Sequence, residues 1–205
     1  AIERSMEIAR YMGIVFSDFD KSEYAKGENG NVFPQYLNRS FEPKTEKVKK
    51  LFEGIHIPTP EDWKRLMEDV QKYGMANGYL LAIAPTGSIS YVQNATASVA
   101  PITEQIETRT YGDSVTHYPM PYMTNENMFF YQTAYEIDPY KYIDLVATIQ
   151  RHVDQGISTT LFVDSNKTTE DLVKLYIYAN KKGLKGLYYT RTKLLGVDEC
   201  VSCQV

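Results

Sequence analysis

Small and hydroxyl-bearing residues form a run directly after the longest apolar stretch of the chain, residues 79–84. The residues of this run are Pro85, Thr86, Gly87, Ser88 and Ile89. Such residues let backbone N–H and side-chain O–H groups converge on one anion, and a phosphate at the carboxyl end of a strand is typical of α/β folds. Residues 85–89 are therefore a candidate phosphate site, with an ordinary turn rich in serine and glycine as the alternative. The chain contains no Walker A pattern and no G-x-G-x-x-G motif.

Two adjacent tyrosines, Tyr188 and Tyr189, stand near the end of the chain. In a regular strand, neighbouring side chains point to opposite faces. If the backbone departs from that geometry, the two rings can stack and pass an oxidising equivalent. The chain holds 17 tyrosines, so two packing residues in a tyrosine-rich protein are the competing interpretation.

Both cysteines of the chain, Cys200 and Cys203, lie in its last six residues. Two thiols at this spacing can form a disulfide reversibly, and a mobile tail could carry them to two places. Half of a zinc site and an inert tail are the alternatives. Zinc normally takes four ligands, and the three histidines, His56, His117 and His152, are scattered through the sequence. We therefore expect a redox role for the pair, structural roles for the histidines and no metal site in this chain.

The composition excludes several classes of function. The net charge of −4 gives no basic surface for nucleic acid. The longest apolar stretch is too short to cross a membrane, and the charged, amphipathic start does not resemble a signal peptide. Cysteines confined to the tail are typical of the cytosol, so we expect a cytoplasmic protein. We also expect Glu104, Glu107 and Arg109, which follow the hydroxyl-rich run, to have charge-paired structural roles.

Capping signals and hydrophobic periodicity predict the helices. Thr59 and Pro60 are a typical helix start, and apolar residues follow them at helical spacing. Thr168 or Thr169 should cap a later helix that ends near Gly183. Further helices are predicted over residues 1–13, 44–52, 124–136 and 138–155.

Three apolar or β-branched runs predict strands over residues 80–84, 158–163 and 186–190. The first of them, continuously apolar, should be buried on both faces. Strands alternating with helices predict an α/β fold with parallel pairing. The first 55 residues or so do not complete a sheet. The strands should therefore need another chain, or a further N-terminal part of the same polypeptide, to cover them. We expect a body over residues 1–190 and a mobile redox tail over residues 191–205.

Six motifs together resemble the large, catalytic subunit of class I ribonucleotide reductases, closest to class Ib. They occur in the family's order over nearly the whole chain. The motifs are residues 81–91, 95–102, 118–121, 152–158, 187–192 and the terminal Cys-x-x-Cys.

The resemblance implies a fold and three roles. The fold would be the C-terminal portion of the family's ten-stranded α/β barrel, incomplete on its own. Residues 85–89 look like the site for the substrate diphosphate. Tyr188 and Tyr189 match the pair that relays a radical from the small subunit to the active-site cysteine. Cys200 and Cys203 match the tail pair that re-reduces the active-site disulfide.

The resemblance also implies partners. The radical would come from a metal-containing small subunit, and the electrons from a glutaredoxin-like or thioredoxin-like protein, with no cofactor in this chain. The radical cysteine and the two cysteines oxidised in turnover would lie upstream, so the chain should need the N-terminal part of the large subunit to reduce ribonucleoside diphosphates. The start at Ala1 favours a trimmed chain over a natural split subunit. A redox or zinc-binding adaptor built on Cys200 and Cys203 and a plain phosphate-binding module are the rival functions.

Overall fold

The structure, a computed structural model, describes residues 1–193, and its contacts divide the chain into two units. The first unit is Ala1–Leu81, and the second begins at Ala82. Within the described residues, no helix combines the length and the apolar character that a membrane span requires.

The first unit is helical. Its helices are α1 (Ile2–Met12), α2 (Pro34–Leu37), α3 (Glu46–Leu51) and α4 (Pro60–Tyr73). The predicted helix start at Thr59 is confirmed, because Thr59 and Asp62 form a reciprocal capping box there. Gly13 ends α1 with a left-handed φ of 67°, which lets its N–H reach the carbonyl of Ala9. The core side chains with the least exposure are Phe33, Val70 and Met75.

The second unit mixes helices and strands. Its elements are α5 (Gly87–Val92), β1 (Ile106–Tyr111), β2 (Ser114–Pro119), α6 (Pro139–Gln150), β3 (Thr160–Asp164), α7 (Thr169–Lys181) and β4 (Tyr189–Lys193). β1 and β2 form an antiparallel hairpin, and β3 pairs with β4 in parallel. Thr168 caps α7 through a capping box with Asp171, which confirms the predicted start of that helix.

Parallel pairing runs along β3 and the residues just before it. Thr160 is in register with Tyr189, and Ile157, three residues before β3 begins, forms an isolated parallel bridge with Ile83. The Ser158 N–H donates to the Ile83 carbonyl at 2.9 Å. The predicted α/β class and its parallel pairing are therefore confirmed.

Helices α6 and α7 supply the core that buries β3. Ile143 and Val146 of α6, Leu175 of α7 and Leu161 of β3 are each at most 2% exposed. Burying one such side chain stabilises a fold by about 1.5–3 kcal/mol. This apolar contact therefore fixes β3 and, through its backbone pairing, the segments beside it.

Two strand predictions are wrong. Residues 80–84 form a single bridge at Ile83 rather than a strand, and Leu81 is 47% exposed rather than buried. An apolar run favours a buried strand, but a strand also needs neighbours along its length. The last strand is Tyr189–Lys193 instead of residues 186–190, which places the tyrosine pair at the start of a strand and not at its end.

The predicted helix over residues 124–136 is also wrong, because side chains there bind the backbone locally. Within that range lies the short 3₁₀ turn Met128–Phe130. The Thr124 N–H donates to Asn127 Oδ1 at 2.7 Å, and the Thr133 N–H donates to Glu136 Oε2 at 2.7 Å. Such bonds compete with a continuous helix.

One tyrosine of α6, Tyr142, is buried with its hydroxyl poorly satisfied. It is 5% exposed, and its oxygen makes no hydrogen bond of ordinary geometry with a described residue. Burial raises the pKa of Tyr142 to about 12, and the nearby backbone of Thr160 offsets only part of that effect. The phenol therefore stays protonated across the physiological range.

We expect Tyr142→Phe to leave the free energy of unfolding unchanged or to raise it by up to about 1 kcal/mol, since it removes a desolvated hydroxyl that has no good partner. Urea unfolding followed by circular dichroism measures this. The matched control is Tyr178→Phe, because the Tyr178 hydroxyl donates to Asp144 Oδ1 at 2.9 Å. That control should lose about 1 kcal/mol. A larger loss for Tyr142→Phe than for the control would contradict the assignment.

Candidate functional site

The hydroxyl-rich loop turns sharply at Thr86. Thr86 has a φ of 49°, a left-handed conformation that costs a non-glycine residue about 1–2 kcal/mol. Two hydrogen bonds hold it in place: the Ser98 N–H donates to Thr86 Oγ1 at 2.8 Å, and the Ser90 N–H donates to the Thr86 carbonyl at 3.0 Å. The Thr86 oxygen accepts in this arrangement, so its own O–H proton can be directed to another acceptor.

Backbone strain is concentrated around this loop. Three of the five non-glycine residues with positive φ in the described part of the chain lie between residues 86 and 98, namely Thr86, Asn94 and Ser98. Strained conformations persist only where their surroundings fix them, and they cluster at binding sites. The segment 86–98 therefore stands out by its geometry as well as by its composition.

The loop is open to an incoming ligand. Gly87, Ser88 and Ile89 are exposed, and the Ile89 side chain keeps 56% of its surface accessible. A Cβ atom added to Gly87 would meet no atom within 4 Å. An anion could therefore approach the backbone N–H groups of residues 87–89.

The two tyrosine rings contact each other at the start of β4. The centroids of Tyr188 and Tyr189 lie 4.5 Å apart with planes inclined at 40°, and the residues are 58% and 54% exposed. Tyr188 precedes the strand, so the two side chains are not held on opposite faces as in a regular strand. The backbone therefore departs from regular strand geometry and the rings are in contact, but they are tilted and not stacked.

The loop and the tyrosine pair flank the same central segment. On one side, the Ser98 backbone binds Thr86, and the Ser98 hydroxyl donates to the Ser158 carbonyl at 3.4 Å. On the other side, the Tyr188 N–H donates to the Thr159 carbonyl at 2.8 Å. The loop and the tyrosines are therefore fixed to adjacent peptides of the same chain segment.

A cavity of about 280 Å³ lies between α5, the hairpin and the β3–β4 pair. Of residues 85–89 only Gly87 lines it, and Arg191 of β4 lines it as well. Phe162, 8% exposed and in register with Arg191, also lines it. The rings of Tyr188 and Tyr189 are not part of this lining, so the shared cavity reaches their strand and not the pair itself.

A second cluster connects α5 to the hairpin. The Tyr91 hydroxyl donates to Glu107 and accepts from Arg109. Arg109 Nε lies 3.0 Å from Glu107 Oε1, so the predicted charge-paired role of these two residues is confirmed. Glu107 and Tyr118 also line the cavity.

The histidines with described partners have local, polar contacts. His56 Nε2 lies 2.8 Å from Asp62 Oδ2, and His117 Nδ1 lies 3.1 Å from the Thr108 hydroxyl. Two hydrogen bonds hold the pKa of the Asp62 carboxyl below its usual value. The bond from the Thr59 N–H has the larger effect, and the bond from His56 has the smaller one. Over residues 1–193, no three His, Cys, Asp or Glu side chains are grouped to hold a metal ion.

Cys200 and Cys203 lie outside the described residues. That the two thiols form a disulfide, and that the tail carries them to two places, therefore stay predictions from the sequence.

Comparison with known families shows which family the chain belongs to. The model of the family described as "Ribonucleotide reductase, barrel domain" matches residues 1–119 and 113–190. The chain therefore belongs to the ribonucleotide reductase barrel-domain family, and its α/β fold is a part of that barrel.

Named relatives make the relationship more specific. The chain is 53% identical over 205 residues to the ribonucleoside-diphosphate reductase subunit alpha of Bacillus subtilis, covering 100% of this chain and 29% of that protein. It is 53% identical to the corresponding nrdEB subunit alpha of Bacillus phage SPbeta, covering 100% and 19%. The Mycoplasma pneumoniae subunit alpha is 42% identical over 200 residues, covering 94% and 27%. The chain thus spans less than a third of the length of these relatives.

Sequence reasoning missed two contributors to the site. Tyr91 and Arg191 stand within motifs of the family resemblance, but nothing in their spacing assigned them to a common cavity. The β1–β2 hairpin, which contacts Tyr91, could have been predicted from the sequence. β-Branched residues alternate through residues 106–110, and Gly112-Asp113 is a typical hairpin turn.

Proposed function

We propose that this chain is the part of a ribonucleoside-diphosphate reductase alpha subunit that holds the substrate diphosphate, relays the radical and returns electrons through its tail. The observation that carries the proposal is the contact between the Tyr188 and Tyr189 rings, whose centroids lie 4.5 Å apart. The pair lies beside residues 158–159, which also hold the hydroxyl-rich loop through Ser98. Family membership supports the reaction class.

The diphosphate would be bound by residues 86–89. The Thr86 hydroxyl, the Ser88 hydroxyl and the backbone N–H groups are donors, which is what phosphate oxygens require. Arg191 lines the same cavity as Gly87, and its guanidinium would supply positive charge for the anion. Glu107 lines it too, but its carboxylate is paired with Arg109, which reduces its repulsion of an anion.

The tyrosine pair suits radical transfer for two reasons. A phenol O–H can lose its electron and its proton together, so the radical that forms carries no charge. The rings are in contact, so the oxidising equivalent has a short step between them. Both rings are more than half exposed, which leaves them accessible to a radical-generating partner.

In the complete reaction, a cysteine radical on upstream polypeptide would abstract the 3′ hydrogen of the ribose. The 2′ hydroxyl would then leave as water, and a thiol pair would supply two electrons. The metal-containing small subunit would generate the radical. Cys200 and Cys203 would then reduce the resulting disulfide by thiol–disulfide exchange and be recharged by a glutaredoxin-like or thioredoxin-like protein.

We expect the 205-residue chain alone to form no deoxyribonucleotide, because its two cysteines lie in the tail and no radical cysteine is present. Activity should appear when the chain is combined with the preceding part of an alpha subunit and a radical-generating subunit. Product analysis by chromatography measures this. Turnover by the isolated chain would contradict the proposal.

Tyr188→Phe and Tyr189→Phe should each abolish turnover in a complete reductase that carries this sequence, since phenylalanine cannot lose a proton with its electron. Nucleotide binding should be unchanged, as measured by equilibrium dialysis. The control is Tyr11→Phe, an equally conservative change at a tyrosine that is 81% exposed in the first unit. Normal turnover in either relay variant would remove the relay role.

Cys200→Ser should lower activity with a protein reductant and preserve it with a small dithiol that reaches the active site directly. Ser202→Ala, between the two cysteines, is the matched control and should behave as wild type with both reductants. An equal loss with both reductants would count against a shuttle.

A further inference from the structure

Helix α5 carries most of the proposed diphosphate loop, but it is too short to fix its own orientation. It has six residues, Gly87–Val92, and isolated helices shorter than about 12 residues are marginal in water. Ser88 and Ile89 lie in its first turn. The direction in which residues 86–89 present their donors therefore depends on what α5 contacts.

Tyr91 is the side chain through which α5 contacts the β1–β2 hairpin. Its hydroxyl donates to Glu107 and accepts from Arg109, and the Arg109 guanidinium lies 3.9 Å from its ring centroid. The ring also meets Tyr118 edge-on at 5.5 Å. One phenol therefore has two polar and two ring contacts with the hairpin, which restrict both its position and its rotation.

A single face of the hairpin supplies all of these contacts. Glu107 and Arg109 are two residues apart on β1, so they share a face, and Glu107 is in register with Tyr118 on β2. The side chains of Arg109 and Glu107 are 34% and 32% exposed. Their ion pair is therefore partly shielded from water, unlike an exposed pair such as Lys21–Asp18, whose side chains are 82% and 68% exposed.

We propose that Tyr91, Glu107 and Arg109 are positioning residues that set the orientation of residues 86–89 for the substrate diphosphate. The inference rests on the proposed function of that loop and adds the hairpin to it. These residues act through α5, and the diphosphate is bound by the loop.

The test is a kinetic comparison in a complete reductase that carries this sequence. Glu107→Gln keeps the size of the side chain and removes its charge. KM for the ribonucleoside diphosphate should rise about tenfold with kcat at saturation within about twofold, because a misaligned loop weakens binding while the radical path is untouched. Loss of the carboxylate charge alone would instead lower KM, since it removes a repulsion of the anion. Tyr91→Phe keeps the ring contacts, loses the hydroxyl and should give a similar rise.

The three residues should behave as one unit. The Tyr91→Phe, Glu107→Gln double variant should raise KM no more than the larger single change, since both remove the same interaction. Arg109→Lys keeps the charge but not the planar guanidinium over Tyr91, and it should also raise KM. It serves as the second variant if either of the other changes impairs folding, which circular dichroism would reveal.

The control is Glu46→Gln, which breaks the exposed ion pair with Lys49 on α3, 2.8 Å long, in the first unit. It should leave KM and kcat unchanged. A fall in kcat at unchanged KM for Glu107→Gln and Arg109→Lys, or additive effects in the double variant, would overturn the positioning role.

Ser88→Ala separates this inference from the proposed function, because it alters the loop directly. If Ser88→Ala raises KM while Glu107→Gln and Arg109→Lys do not, the positioning role is wrong and the loop assignment stands. If Ser88→Ala leaves KM unchanged, the loop is not the diphosphate site and both proposals fail.

Discussion

Parallel pairing along residues 157–164, which include β3, is the constraint on which the second unit depends. Helices α6 and α7 bury Leu161 and Val163, so the position of β3 is set by apolar packing. Its backbone groups, together with those of residues 157–159, then fix two other segments by hydrogen bonds. One leads into the hydroxyl-rich loop, and the other begins with the tyrosine pair. The buried core thus determines the distance between the hydroxyl-rich loop and the tyrosine pair, two exposed features that could not fix that distance themselves.

The exposed features themselves are held by local devices. Thr86 takes a left-handed conformation because Ser98 and Ser90 bind it on two sides. The Tyr91 cluster restrains the helix that follows. This arrangement leaves residues 87–89 accessible while their backbone remains defined, which is the combination that a phosphate site needs. The strain at Thr86 is consistent with a local geometry kept for binding and not for stability.

Elements with strong local signals could be predicted from the sequence. Thr59 and Thr168 each begin a helix through a side-chain cap, and a cap is a property of four consecutive residues. The parallel pairing followed from the order of strands and helices. The start of β4 was displaced by three residues, because the exact extent of a strand depends on its neighbour, β3.

Features that depend on distant partners could not be predicted in the same way. Whether the Tyr188 and Tyr189 rings meet depends on where β4 begins, and no local pattern determines that. The exposure of Leu81 shows the converse case, since an apolar residue predicts burial only if something covers it. The resemblance to a known family suggested the candidate site residues, while the cavity that both Gly87 and Arg191 line could be found only in three dimensions.

We infer that the hydroxyl-rich loop binds the substrate diphosphate in the same site that the tyrosine pair serves. A crystal structure of an alpha subunit carrying this sequence, with a ribonucleoside diphosphate bound, tests this inference. We expect phosphate oxygens about 3 Å from the hydroxyl and N–H donors of residues 86–89, with the Tyr188 and Tyr189 rings still in contact. A diphosphate bound elsewhere, with the loop vacant at saturating nucleotide, would contradict it.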